Sequence, residues 1–411
     1  MEFKIKYYKD LVSFHIPDQN VLGNILPNTA PAAVSEAEEV ARALSVPFGT
    51  PRLSEIVRSG EKIVIVTSDI TRPVPSKIII PRLLDELGKA GVKDEDVTIV
   101  FGLGSHRKQT EEEQKSLVGE EVYSRVKCVD SDPEDCVHLG TCKNGTPVDI
   151  FRTVAEADRR ILVGNVEYHY FAGYSGGMKA IMPGVSSRAA IQANHRNMIR
   201  PGAFAGNLTD NPVRDDIEET ADFVSVDFIL NVALDDHKRI AFAAAGHPVE
   251  AHRKACAFLD KIYKKKVKKA ADIVIVSTGG YPKDINLYQA QKSIDNVKHI
   301  VRKGGIMIVA ASCSDVFGKW INTYSTPRER IEEIQKHFEL GGHKSAALAM
   351  VQENCDIYLV TDMEDKLVEK ANMVPFHNLQ QAVDAALTRM GEKAAVYVVP
   401  VGGSTLPVVA E

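Results

Sequence analysis

Three histidines, a lysine, an arginine and an aspartate in the first half of the chain have the types and spacing for acid–base and covalent chemistry. His169 and Lys179 share the segment 167–187, EYHYFAGYSGGMKAIMPGVSS, in which Gly173, Gly176 and Gly177 rule out an ordinary helix or strand. Asp69, Thr71 and Arg72 lie in TSDITRPVP, His106 in GLGSHRKQTEEE and His195 in QANHRNM. Imidazoles exchange protons near neutrality. A lysine that loses its proton is a nucleophile, and arginine grips a carboxylate with two parallel hydrogen bonds. With no obvious Ser or Cys nucleophile alongside them, the set suits an anionic substrate, proton transfer by imidazole and a cofactor held on lysine.

Each residue also has an ordinary reading. Asp69 alone caps a helix, Arg72 alone is its ion-pair partner, and a lone loop histidine is usually solvated. Their arrangement is what points to a site. The β-branched runs 62–69, 97–104 and 160–167 end at these residues, and PSKIIIPRLLDELGKAGV between the first two has a helical period. Alternating strand and helix predicts a parallel sheet covered on both faces, whose strand tips form one edge. Thr110 and Glu113 form a capping box. After Thr220, VSVDFILNVALDDHKRIAFAAAG predicts a hairpin.

Residues 249–269 read as one long helix, with the basic run KIYKKKVKKAAD as a solvated face. A second alternation follows, with strands at 272–280, 305–312, 356–361 and 395–403 and helices at 285–302, 326–353 and 379–391. The expected fold is therefore α/β, with two α/β domains, mainly parallel sheets and an interdomain active-site cleft. Residues 1–268 form the catalytic, cofactor-binding domain and 269–395 a lid domain, with segment 396–411 free to return to the first.

Composition narrows the function. The 411 residues are 44% hydrophobic and 26% charged, with a net charge of −5 and both signs interspersed, so no nucleic-acid footprint exists. No apolar run suggests a signal peptide or a membrane span, and six scattered cysteines without Cys-x-x-Cys suit a reduced cytoplasm. GLGSHR lacks the third glycine of a dinucleotide fingerprint, and GYSGGMKA lacks Gly-Lys-Ser/Thr. Neither His-Glu-x-x-His nor Gly-x-Ser-x-Gly occurs.

The motifs DITRPVP, GSHR, EYHYFAGYSGGMKAIMPGVSS and NHRNM, in that order, with YPKDINLYQAQK at 281–292, resemble the nickel-pincer-nucleotide lactate racemase family. The resemblance spans nearly the whole chain; Ile70 departs from it, standing where many members carry a polar residue. It implies a racemase or epimerase acting at C2 of a 2-hydroxy acid. A pyridinium mononucleotide with two sulfur-containing substituents would be tethered to Lys179 and would hold nickel, with His195 as the protein's metal ligand. His106 and His169 would be the acid–base pair around hydride transfer, and Arg72 would hold the substrate carboxylate. Tyr288, Gln289 and Lys292 would also contact substrate, while Asp69, Thr71, Gly173, Ser175, Gly176 and Gly177 would line the cofactor. Loading would require cofactor-biosynthesis proteins.

Three other readings remain open at this level. The same cofactor could serve a sugar-acid (aldonate) 2-epimerase or a malate or aryl-2-hydroxy-acid racemase. A cofactor-free anion-binding or sensor protein would not need two histidines and a lysine together. A nucleotide-dependent dehydrogenase is weakened by the missing fingerprint. His138, His237, His247 and His252 read as structural or solvated, and Trp320 as core or interdomain packing.

Overall fold

The structure is a computed structural model that describes residues 1–29, 35–313, 325–338 and 342–410; Trp320 lies outside them. The chain forms two compact units, one of residues 29–261 and one of residues 1–28 with 262–411.

In the 29–261 unit a six-stranded sheet runs in the order Ile240–Gly246, Phe228–Leu234, Arg159–Asn165, Ile63–Ser68, Val97–Gly102, Lys127–Asp130. All neighbours are parallel except the first pair, which is the expected hairpin. Ile63, Ile65, Ile99 and Ile161 pack into one core with Ile79, Ile80, Leu83 and Leu87 of the helix Ser76–Lys89. Val64, Val66, Val100 and Leu162, which alternate with them, are equally buried. Burial of both faces explains why these strands read as continuous apolar runs rather than alternating ones. The chain leaves Ile63–Ser68 toward Val97–Gly102 on one side and later adds Arg159–Asn165 on the other. The crevice at this change of direction, outside the strands' carboxyl ends, is where open α/β sheets bind ligands.

The other unit has a second six-stranded sheet, parallel throughout, in the order Val374–Phe376, Cys355–Val360, Val301–Ala310, Ala271–Ser277, Val396–Val399, Val21–Asn24. Successive residues of one strand enter opposite cores. Val274 and Val276 pack with Leu287, Ala290, Ile294 and Val297 of the helix Leu287–Val297, and Ile273 and Ile275 with Leu379, Ala382, Val383 and Ala386 of the helix Leu379–Met390.

Two expectations need correction. Residues 1–28 do not belong with the first domain: Val21–Asn24 is an edge strand beside Val396–Val399, and the 2–7/10–15 hairpin buries Ile5 and Phe14 in the second unit's core. Segment 396–411 likewise stays in that unit. The basic run is not a helix face. The helix Glu250–Tyr263 ends at its start, and Lys264–Val267 becomes a strand parallel to Leu406–Val409. No helix among the described residues is long and apolar enough to cross a membrane, and all six cysteines are free thiols.

Candidate active site

Asp69, one residue beyond the strand Ile63–Ser68, is buried at 2% exposure. Its Oδ1 accepts the Thr71 hydroxyl at 2.7 Å, and its Oδ2 lies 2.6 Å from Nδ1 of His106 on the next strand's exit loop. Burial alone would raise the Asp69 carboxyl. The hydrogen bonds from His106 and Thr71 and the charges of His106 and Arg72 outweigh it, so the group is held below its usual value and ionised. A carboxylate can only accept, so Nδ1 of His106 carries a proton, and whenever the ring is neutral its Nε2 presents a lone pair. Asp69→Asn, whose amide accommodates either tautomer, should therefore lower kcat roughly 10²-fold with the fold unchanged. The ¹⁵N spectrum of His106 would report the tautomer; a variant with normal turnover would remove Asp69 from the mechanism.

His169 is held in the other sense. It lies on a two-residue strand, Tyr168–His169, paired antiparallel with Gly173–Tyr174. Its Nδ1 accepts the Ala172 N–H at 3.3 Å, which leaves the ring proton on Nε2. The Phe171 ring stands edge-on to both His169, at 4.5 Å between centroids, and His195, at 4.9 Å. His195 is buried near the end of the helix Arg188–Arg196.

The intervening glycine segment is clamped from outside. The five successive carbonyls from Phe171 to Ser175 each accept a donor from elsewhere in the unit. Asn211 Nδ2 donates to Phe171 at 2.9 Å, Arg214 Nε to Ala172 at 3.1 Å and the Gly206 N–H to Gly173 at 2.9 Å. Arg214 Nη2 donates to Tyr174, and His252 Nε2 to Ser175 at 2.8 Å. Asn211 also caps the helix Pro212–Glu219, which carries Arg214. The glycines serve this packing. A Cβ on Gly173 (φ +74°) would lie 2.1 Å from the Asn207 carbonyl oxygen, and one on Gly176 (φ +76°) 2.7 Å from Asn231 Oδ1. A Cβ on Gly177 would come within 3.0 Å of the His252 ring. Their close approach is thus to protein side chains and backbone. Ser175 is similarly occupied: its hydroxyl donates to the Asn165 carbonyl at 2.8 Å and accepts the Glu167 N–H at 2.8 Å.

Lys179 sits in the 3-10 turn Gly177–Ala180, which packs against the strands Ile63–Ser68 and Arg159–Asn165. The following turn is tied to the His106 loop by a 2.9 Å bond from the Gly104 N–H to the Gly184 carbonyl. The residue keeps some accessible surface, yet protein surrounds its amine, and its pKa lies well below the ordinary lysine value. Desolvation is the largest cause, followed by the charges of Arg214 and Arg72. The shift favours the unprotonated, nucleophilic form of the amine. Arg72, through its charge, bears on both Asp69 and Lys179.

The remaining candidates lie in the other unit on the helix Leu287–Val297, capped by Asn286. Tyr288 and Gln289 are exposed, and Lys292 is half-buried one turn beyond Tyr288. Asn211, Arg214, Asn231 and His252 were missed as supports of the site. The run DNPVRDD, with Asn before Pro at a helix start, was the one available signal for the first two.

Two other clusters lack comparable chemistry. Ser187 donates to Asp149 at 2.8 Å, and Asp149 also pairs with His138, so the serine faces the carboxylate rather than the imidazole. Cys142, Asp216 and Glu219 converge as metal ligands could. However, the Asp216 oxygens already accept from Asn144, Thr146 and Asn197, and burial pushes the Cys142 thiol up to about 12.

Comparison with known proteins identifies the family. The lactate racemase N-terminal domain model matches residues 7–206 and the lactate racemase C-terminal domain model residues 266–407. The chain is 35% identical to a lactate racemase of Thermoanaerobacterium thermosaccharolyticum, over 98% of each chain. It is 32% identical to one of Lactiplantibacillus plantarum, over 97% of each. The lactate racemase apoprotein structure from T. thermosaccharolyticum superposes with a TM-score of 0.90 at 34% identity, covering 99% of this chain and 100% of that one. A Thermotoga maritima protein at 18% identity, covering 94% of this chain and 100% of its own, shares the fold with a TM-score of 0.67. Full-length identity above 30%, with both domain models matched, makes this chain a member of the lactate racemase family.

Proposed function

We propose that the protein is a racemase that inverts C2 of lactate or a closely related 2-hydroxy acid. The observation that carries the reading is the pair of differently held imidazoles: His106 with a bare Nε2 beside an ionised Asp69, and His169 with its proton on Nε2. Each direction needs a proton acceptor at the 2-hydroxyl as hydride leaves and a proton donor at the keto oxygen as hydride returns; a neutral His106 is the acceptor, and His169 becomes the donor once its Nδ1 is also protonated. The reverse direction needs them exchanged. The 3.3 Å contact of His169 Nδ1 with Ala172 is long enough to yield when that nitrogen takes a proton.

The family's nickel-pincer nucleotide fits the residues present. Lys179 offers an amine whose protonation burial disfavours, and His195 offers an imidazole, a suitable donor to nickel beside sulfur ligands. When bound, this cofactor supplies an acceptor for the hydride of C2. The chain's own residues do the rest. His106 Nε2 takes the hydroxyl proton of one enantiomer, and His169 returns a proton for the other. Arg72 holds the carboxylate with its planar fork, and Asp69 with Thr71 fixes the His106 ring. Tyr288, Gln289 and Lys292 are proposed as the second unit's contacts to substrate. Residence in the cytoplasm, where cofactor-biosynthesis proteins would load the enzyme, completes the proposal.

Protein purified from a host that makes the cofactor should interconvert D- and L-lactate and retain the α-hydrogen of a C2-deuterated substrate. Loss of that label to solvent would replace hydride transfer with proton abstraction at carbon. Loaded protein inactive on lactate but active on a larger 2-hydroxy acid would move the substrate assignment alone.

A further inference from the structure

We propose that Arg214 is a positioning residue for the Lys179 amine, fixing the loop that presents it through the carbonyls of Ala172 and Tyr174. This rests on the reading of Lys179 as the tether. Arg214 is 1% exposed, and its Nε and Nη2 hold carbonyls on either side of Gly173. Its Nη1 has no hydrogen-bond partner among the described residues; the nearest carboxylate oxygen, Glu218 Oε1, is 3.9 Å away. Burial pulls Arg214 down to about 10, so it remains charged at neutrality. A neutral amide could hold two carbonyls without the desolvation cost of a guanidinium. What only the guanidinium adds is a fixed, weakly compensated positive charge behind the loop.

That charge acts on Lys179. The helix Pro212–Glu219, which carries Arg214, and the strand Ile63–Ser68, which leads to Arg72, both pack on the 3-10 turn Gly177–Ala180 that holds Lys179, and the charges of both arginines disfavour protonation of its amine. Around Arg214 stand Glu218, one turn along its helix, and Arg253 and Cys256 of the helix Glu250–Tyr263. Burial and the charge of Arg214 keep His252 neutral, so it adds no cation. Arg253 donates to His252 Nδ1 at 2.9 Å and to Glu218 at 2.7 Å, completing a chain from Glu218 to the Ser175 carbonyl. One guanidinium thus fixes the loop and helps keep the lysine it carries in nucleophilic form.

The test uses the apoprotein and needs no turnover. Short pulses of acetic anhydride across a pH series, read by peptide mass spectrometry, give the pH midpoint for acylation of Lys179, with exposed lysines of the same digest as reference. The wild-type midpoint should lie well below the reference. Arg214→Gln should raise it by about one pH unit, the scale of a single fixed charge in a partly desolvated site. Arg214→Lys should keep the low midpoint while amides of residues 171–177 exchange faster. Glu218→Gln leaves Arg214 in place and removes its compensation, so the midpoint should fall. This variant carries the test if Arg214→Gln does not fold. A low wild-type midpoint unchanged in Arg214→Gln, or unmoved in Glu218→Gln, overturns the role of Arg214 alone. Wild-type Lys179 labelling like an exposed lysine would instead remove the tether reading, and this inference with it.

Discussion

Replacing His106 or His169 by alanine should lower kcat for racemisation by roughly 10²–10⁴-fold in each case, the usual worth of a positioned general acid or base. Each variant should be equally damaged in both directions. The two enantiomers have equal free energy, so kcat/KM for the forward and reverse reactions must stay equal whatever residue is lost. Each histidine is base in one direction and acid in the other. The environments nonetheless differ: His106 leans on a buried carboxylate, and His169 on a backbone N–H. Cofactor attachment should survive in both, because neither side chain is the tether. Polarimetry in each direction, with intact mass beside it, checks all of this. Near-normal rates in either variant would show that the proton has another carrier.

Lys179→Ala should abolish covalent attachment outright: no nucleotide-sized mass increment and no stoichiometric nickel under conditions that load the wild type. Lys179→Arg should fail equally, since a guanidinium keeps its proton at every accessible pH. The same residue makes a prediction about stability. Because its folded pKa is depressed, the folded apoprotein binds this proton more weakly than the unfolded chain does. Apoprotein stability therefore carries a penalty that shrinks as pH rises toward the ordinary lysine value and vanishes above it. Lys179→Met should accordingly raise the apoprotein's melting temperature near neutrality, with the gain fading in alkaline buffer. A nickel-loaded, fully tethered Lys179→Ala protein would sink the assignment. A methionine variant no more stable at neutral pH would show that the wild-type amine is protonated and hydrated.

Local pattern carried most of the strand–helix alternation in both units. The runs at 62–69, 97–104 and 160–167 appear as Ile63–Ser68, Val97–Gly102 and Arg159–Asn165, and the Thr110–Glu113 capping box is present with both reciprocal bonds. Such features depend on residues a few positions apart, so a sequence displays them directly. The 136–141/147–151 hairpin was missed because its first strand is only partly buried and the ladder breaks its register around Gly140. The strand at 264–267 was missed because its partner lies about 140 residues away, at 406–409.

Within the candidate site, residue identity was legible and residue state was not. Sequence alone determined that histidines, an arginine and a lysine stand at or beyond the ends of parallel strands, because strand position and tip follow from periodicity and chain direction. It also determined the family resemblance that the comparisons bear out. Only the tertiary structure decided that Asp69 sets the tautomer of His106, that a backbone N–H sets that of His169, and that Asn211, Arg214 and His252 clamp the loop. It likewise decided that residues 1–28 complete the second unit's sheet. Protonation and long-range pairing depend on which groups are brought within a few ångströms and how far water is excluded, and neither is a property of neighbours along the chain.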